Sequence, residues 1–306
     1  MIVVIGGRQA SRQSGALGGT ETVKLFAIVG VAGVMALSSL TSAQEGCPSE
    51  PALFHPCALA RAAAFDPPKT RDGRPDLQGF WRGATYATEN IEAHPKTADD
   101  NGGPSLIVDP PDGKVPYQPW AAAQRDENEA KYIDPNVPCF PSGVPRSVYT
   151  PTTIEILQTP GHVVLIFERA HTYWIIPTDG RPHVGRGIGL WQGDQRGRWD
   201  GNTLVVDVTN VHARAWFDQA GNFYSDRAHI VARFTLVDPE TIHFQATIDD
   251  PHVYTRPWTL AFPMKRNREP GFELLEEACF EGERNTQPLL DLGYRIYPGV
   301  QGGPTR

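Results

Sequence analysis

From about residue 152 onward, apolar and polar positions alternate in short runs separated by turn residues. A period of two is the signature of strands with one buried face. Thr153–Gln158 and His162–Glu168 flank Thr159-Pro160-Gly161, and His171–Pro177 ends at Thr178-Asp179-Gly180. Gly189–Trp199 and Thr203–Thr209 flank Asp200-Gly201-Asn202, a hairpin signal because glycine supplies the positive φ such turns need. Arg227–Val237 and Thr241–Asp249 meet at Asp238-Pro239-Glu240, and Arg256–Pro263 and Gly271–Phe280 follow. Roughly nine strands with short turns and no helices between them predict an antiparallel meander, hence a lipocalin-like barrel or a sandwich.

The first half reads differently. Residues 44–75 are loop-like with one short helix expected over Cys57–Phe65, and Asp76–Trp81 opens the first strand. Pro95, Pro104, Pro110, Pro111, Pro116 and Pro119 mark an extended loop, followed by a helix expected over Trp120–Tyr132 and stopped by Asp134-Pro135. The expected organisation is a single domain over 44–306. In it, a proline-rich region to residue 150 packs on the strand-dense part from 151. With 30 Gly and 28 Pro in 306 residues, turns are abundant and a long helical bundle is excluded. A hydrophobic fraction of 40% supplies a real core.

Residues 25–40 form an apolar run preceded by Arg8, Arg12 and Lys24 and followed by Thr41-Ser42-Ala43, the pattern of a signal peptide spanning 1–43. Export implies a periplasmic or secreted protein with no stable membrane insertion after cleavage. Cleavage would remove Arg8, Arg12, Lys24 and Glu21, making the charge two units more negative than −7. That balance argues against nucleic acid as a partner, since polyanion binding rests on Lys and Arg. An oxidising compartment makes disulfides the expected fate of the four cysteines. They allow three connectivities; locality favours Cys47–Cys57, which goes with Cys139–Cys279. Zinc is not expected, because no Cys-x-x-Cys spacing occurs.

Pro75-Asp76-Leu77-Gln78-Gly79-Phe80-Trp81, Thr178-Asp179-Gly180-Arg181-Pro182-His183, Gly197–Val206 with its Arg-Trp-Asp-Gly centre, and Ile248–Pro251 with Tyr254–Trp258 together resemble a large family of exported bacterial proteins. The resemblance runs from about 70 to 285 and carries no activity with it. A weaker similarity, through Gly79-Phe80-Trp81, is to lipocalin-like barrels, and it implies architecture only.

The candidate chemistry is histidine and carboxylate. His229 shares a strand face with Arg227, Val231 and Arg233, while Ala228, Ile230 and Ala232 face the other way. A turn at Ser225-Asp226 can bring the Asp226 carboxylate back to orient that imidazole, an arrangement used in acid–base catalysis. His171, expected on one face with Tyr173 and Ile175, is a second candidate base; a strand-end histidine bonding a loop carbonyl is the plain alternative. Asp250, beside Asp249 and before Pro251, reads either as a turn opener or as a general acid.

Expected ligand contacts are Arg181, His183, Arg233, Tyr254, Trp216, Trp258 and Glu276, the last as an inward carboxylate paired with Arg181 or Arg233. No His-Glu-x-x-His, nucleophile elbow, phosphate loop or dinucleotide fingerprint occurs, so no cofactor or metal is expected. The function anticipated is binding of a small aromatic, terpenoid-like or sugar-derived molecule in the barrel interior or mouth. Metal-free lyase, hydratase, isomerase or hydrolase chemistry would act on it. The alternatives are a non-catalytic carrier or accessory binding protein, and a structural envelope protein.

Overall fold

The computed structural model describes residues 46–185 and 187–300. The signal peptide expected over 1–43 lies outside the described residues. The helices are α1 (Pro51–Ala64), α2 (Pro119–Lys131), α3 (Cys279–Gly282) and α4 (Thr286–Asp291). The strands are β1 (Gly79–Arg82), β2 (Ile107–Asp109), β3 (Tyr132–Ile133), β4 (Ile154–Thr159), β5 (His162–Phe167) and β6 (Tyr173–Pro177). They continue as β7 (Asp194–Asp200), β8 (Thr203–Thr209), β9 (His229–Asp238), β10 (Thr241–Asp249), β11 (Trp258–Arg266) and β12 (Arg295–Ile296).

One antiparallel sheet runs β6-β5-β4-β1-β11-β10-β9-β8-β7 and curls nearly into a barrel. It consists of two meanders, β4 to β6 and β7 to β11, joined by β1, with β2 paired to β11 off that path. Within β1, Trp81 pairs with Ile154 on one side and with Arg266 on the other. The terminal strands β6 and β7 meet without a ladder. Gly197 of β7 makes that approach possible, because a Cβ there would sit 2.6 Å from Ile176 Cγ2 and 2.9 Å from Thr178 Cγ2. Trp174 Nε1 in β6 also donates to Gln192 Oε1, just before β7, at 3.0 Å.

Alternate residues of the strands fill the interior. Trp81, Ile156, Leu165, Trp174, Val206, Phe234, Phe244, Leu260, Phe262 and Met264 are essentially inaccessible and belong to one cluster. The barrel interior, one of the two places where a ligand was expected, is therefore filled by a packed core. Outward positions carry the polar chemistry, including Asp207, His229, Arg233 and His243.

The bounds of β8 and β10 coincide with the expected strands. Two expectations fail. His171 is not in β6: it follows Ala170 in a turn where both have positive φ, and the strand starts at Tyr173. Gly271–Phe280 is no strand, since no face of it stays buried, with Leu275 72% and Phe280 76% exposed. Instead Glu277 is drawn onto the loop after β5 by Arg169 Nη1 at 3.2 Å and the Ala170 amide at 2.8 Å. The adjoining Cys279 is bonded to Cys139, and Cys47 to Cys57, the connectivity favoured by the sequence. Among the described residues no helix is long and apolar enough to cross a membrane.

Helix α1 covers the outer face of the sheet through Phe54 and Ala58, which pack with Val237. His243 lies under it, with Nε2 3.0 Å from His55 Nδ1 and the Phe54 ring edge-on at 5.5 Å. Burial, then the charges of His55 and Arg233, push the His243 imidazole down to about 3. The unfolded chain takes up that proton near pH 6.5 while the folded protein refuses it, so stability falls as pH drops from about 6.5 toward 3. His243→Gln is expected to flatten this limb in urea unfolding measured across that window; an unchanged slope contradicts the assignment.

Candidate functional site

The outer face of β7–β9 assembles a chain of four side chains from three strands and a loop. Pairing of β7 with β8 sets Arg196 opposite Asp207, and pairing of β8 with β9 sets Asp207 opposite Val231. His229 is then the diagonal neighbour of Asp207, within reach of its side chain. Its Nε2 lies 2.9 Å from Asp207 Oδ2. The other Asp207 oxygen lies 2.8 Å from His183 Nε2, and His183 Nδ1 lies 2.8 Å from Asp194 Oδ2.

The Asp194 end of the chain is held in place. Asp194 accepts further bonds from the Val184 amide at 2.9 Å and from Arg196 Nη1 at 2.6 Å, while Arg196 Nε fastens the loop through Pro182 O at 2.8 Å. Both nitrogens of His183 face carboxylate oxygens, so both bonds are satisfied only when both nitrogens carry protons. Burial opposes ionisation of Asp207, but the hydrogen bonds and charges of His229 and His183 outweigh it and hold the carboxyl below its usual value.

His229 has one nitrogen committed. With Nε2 donating to Asp207, Nδ1 is the basic nitrogen, and it makes no hydrogen bond among the described residues. The ring lines a pocket of about 650 Å³ with Gly187, Ile188, Thr209, Val211, Asp226 and Arg227. The neighbouring His212 stacks on Trp191 with centroids 4.4 Å apart and accepts from the Arg214 amide at 3.2 Å. Burial and the Arg214 charge lower its pKa, against the opposing pull of Asp226.

The other expected site residues are dispersed. Asp226 lines the His229 pocket, but the carboxylate that orients His229 is Asp207, not Asp226. His171 lies elsewhere, with Glu276 Oε1 3.4 Å from its Nε2, both exposed. The two border a groove of about 540 Å³ on the outside of β5 and β6. Glu276 therefore does not point inward, and neither Arg181 nor Arg233 reaches it: Arg181 pairs with Asp179 and Arg233 with Asp200.

Asp250 is fully buried. It accepts from the Ser225 amide at 2.7 Å and the His252 amide at 3.2 Å, which makes it the turn anchor of the plain reading. Tyr254, Trp216 and Trp258 are 0–1% exposed, so they are core residues rather than ligand contacts. The Tyr254 hydroxyl donates to Phe223 O at 2.6 Å, and the Trp258 ring stands edge-on to Phe217 and Tyr254.

Asp207 and Asp194 were missed by sequence reasoning. The available signal was a single charge inside the otherwise apolar and Thr run Thr203–Thr209. Asp218, pushed up to about 6 by burial, was also missed, but it is committed to the Ile91 and Asn222 amides. Among the described residues no group of three or more His, Cys, Asp or Glu side chains is arranged to hold a metal ion. No known protein family, curated protein or solved structure matches the chain.

Asp207 contributes stability above the usual carboxyl range near pH 4, and this is lost as pH falls through its lower folded value. Asp207→Ala is expected to cost about 1 kcal/mol at pH 7, the scale of a part-exposed charge-assisted bond. That deficit should shrink toward pH 3. Asp226→Ala should cost much less. Equal losses in urea unfolding would contradict the assignment of Asp207 as the carboxylate that holds the two rings.

Proposed function

We propose that this is an exported protein that binds a small molecule in the His229 pocket and performs metal-free, cofactor-free acid–base chemistry on it. The observation that carries the reading is the pairing of His229 with Asp207 at a pocket of about 650 Å³, with Nδ1 left unbonded. A carboxylate on one imidazole nitrogen fixes the tautomer and leaves the other nitrogen free to accept a proton, which is the arrangement a general base uses. The volume suits a ligand of ordinary small-molecule size.

Ile188 and Val211 offer apolar contact, while Thr209, Asn210 and Arg227 offer hydrogen bonds. That mixture fits an aromatic, terpenoid-like or sugar-derived compound. In an elimination, isomerisation, hydration or hydrolysis, Nδ1 of His229 would take the proton. Asp207 would stabilise the resulting imidazolium, with the His183–Asp194 pair holding Asp207 in place. Export rests on the apolar segment at 25–40 and on the resemblance to exported bacterial proteins, and two disulfides support an oxidising compartment, periplasmic or extracellular.

A second reading, a carrier without catalysis, is favoured by the groove outside β5 and β6. Its floor is apolar, made of Val164, Ile166, Tyr173, Ile175 and Leu275, and such a surface takes up a ligand without chemistry.

The test is a thermal-shift screen of residues 44–306, produced in an oxidising host, against aromatic, terpenoid and glycoside compounds, followed by assay of ligand consumption. His229→Gln is expected to keep binding and melting temperature while lowering turnover by about 10²-fold or more, the usual scale for a lost general base. Unchanged turnover in that variant overturns the catalytic assignment. Binding without consumption by the unaltered protein moves the carrier reading forward.

A further inference from the structure

A separate cavity of about 840 Å³ lies where the C-terminal arm folds over the segment between α2 and β4. Its walls are fastened from several sides. The Cys139–Cys279 disulfide, the Arg169–Glu277 ion pair and the parallel pairing of β12 with β3 together hold the arm in place. It shares no lining residue with the His229 pocket.

The polar groups on this wall are not paired off as buried groups normally are. Arg146 is 1% exposed and holds Asp134 through both terminal nitrogens, at 2.8 Å and 2.6 Å. Its Nε is buried with no hydrogen-bond partner. Asn136, 7% exposed, has an unpartnered buried Oδ1, and Glu89 has an unpartnered buried Oε2. All three residues line the cavity. A protein rarely leaves one donor and two acceptors unsatisfied among the residues of one wall unless something else satisfies them.

The chemistry of these groups selects the ligand class. Four carboxylates (Glu89, Asp134, Glu277, Glu283) outnumber two guanidiniums (Arg146, Arg169) on the walls, which disfavours an anion. An amine or other cation can donate to Glu89 and Asn136 but cannot accept from Arg146 Nε. A hydroxyl does both, and neighbouring hydroxyls can engage all three groups. The phenol rings of Tyr132 and Tyr294 add flat apolar surface for the C–H face of a ring.

We infer that this cavity is a binding site for a neutral polyhydroxylated ligand of mono- to disaccharide size, held by Glu89, Asn136 and Arg146 Nε and covered by Tyr132 and Tyr294. The inference is independent of the chemistry at His229.

The experiment is isothermal titration of the protein with maltose, cellobiose and lactose, with glucuronate and spermidine as charged counterparts. At least one neutral disaccharide is expected to bind saturably, more tightly than either charged compound. Glu89→Ala should weaken that binding by about tenfold or more, the loss of a hydrogen bond to a charged group. Tyr294→Ala, a change at the accessible rim, should weaken it while leaving the melting temperature in place. His229→Gln should leave it unchanged, which separates this site from the acid–base pocket. The inference is overturned if no neutral saccharide binds, if glucuronate or spermidine binds more tightly, or if binding survives both Glu89→Ala and Tyr294→Ala.

Discussion

The filling of the barrel interior decides where everything else in this protein can be. Large side chains at alternate positions of both meanders, among them Trp81, Trp174, Phe234, Phe244 and Phe262, meet in one cluster with no accessible surface. A core at that density leaves no room for a ligand. Polar chemistry is consequently displaced to the outer face of the sheet and to the loops that pack against it. The two meanders are held together on one side by four residues of β1 and meet on the other at Gly197, where the absence of a Cβ allows β6 and β7 to abut.

The outer face is differentiated by what covers it. Over β9 and β10, α1 seals His243 in a dry environment and suppresses its charge. On β7, β8 and β9 the loop carrying His183 is tied back by Asp194, Asp207 and Arg196, and a half-exposed imidazole is left beside an open pocket. The same residue type is a packed structural element in one place and a half-exposed side chain at the edge of a pocket in the other. The difference comes from the covering segment, not from the strand.

Strands with clean alternation and a strong turn were legible in the sequence: β8 and β10, flanked by Asp200-Gly201-Asn202 and Asp238-Pro239-Glu240, have the bounds expected of them. The face of β9 that carries His229 was legible for the same reason, since Ala228, Ile230 and Ala232 had to face the core. The partner of His229 was not, because it depends on the register between β8 and β9, a long-range pairing that no local pattern encodes. The short strands β2, β3 and β12 are set by tertiary contacts and carry no periodicity. Trp216 and Trp258 were expected to contact a ligand, but both are closed off inside the core. Trp216 bridges to Phe223, and Trp258 packs on Phe217.

The claim on which the functional account depends is that His229 presents a bare Nδ1 to its pocket because Asp207 holds the proton on Nε2. The direct measurement is nitrogen NMR of the His229 imidazole in labelled protein at about pH 8, with Asp207→Ala as comparison. The expected result is a protonated Nε2 and an unprotonated Nδ1 in the native protein, with that preference weakened in the variant. A native His229 carrying its proton on Nδ1 would contradict it.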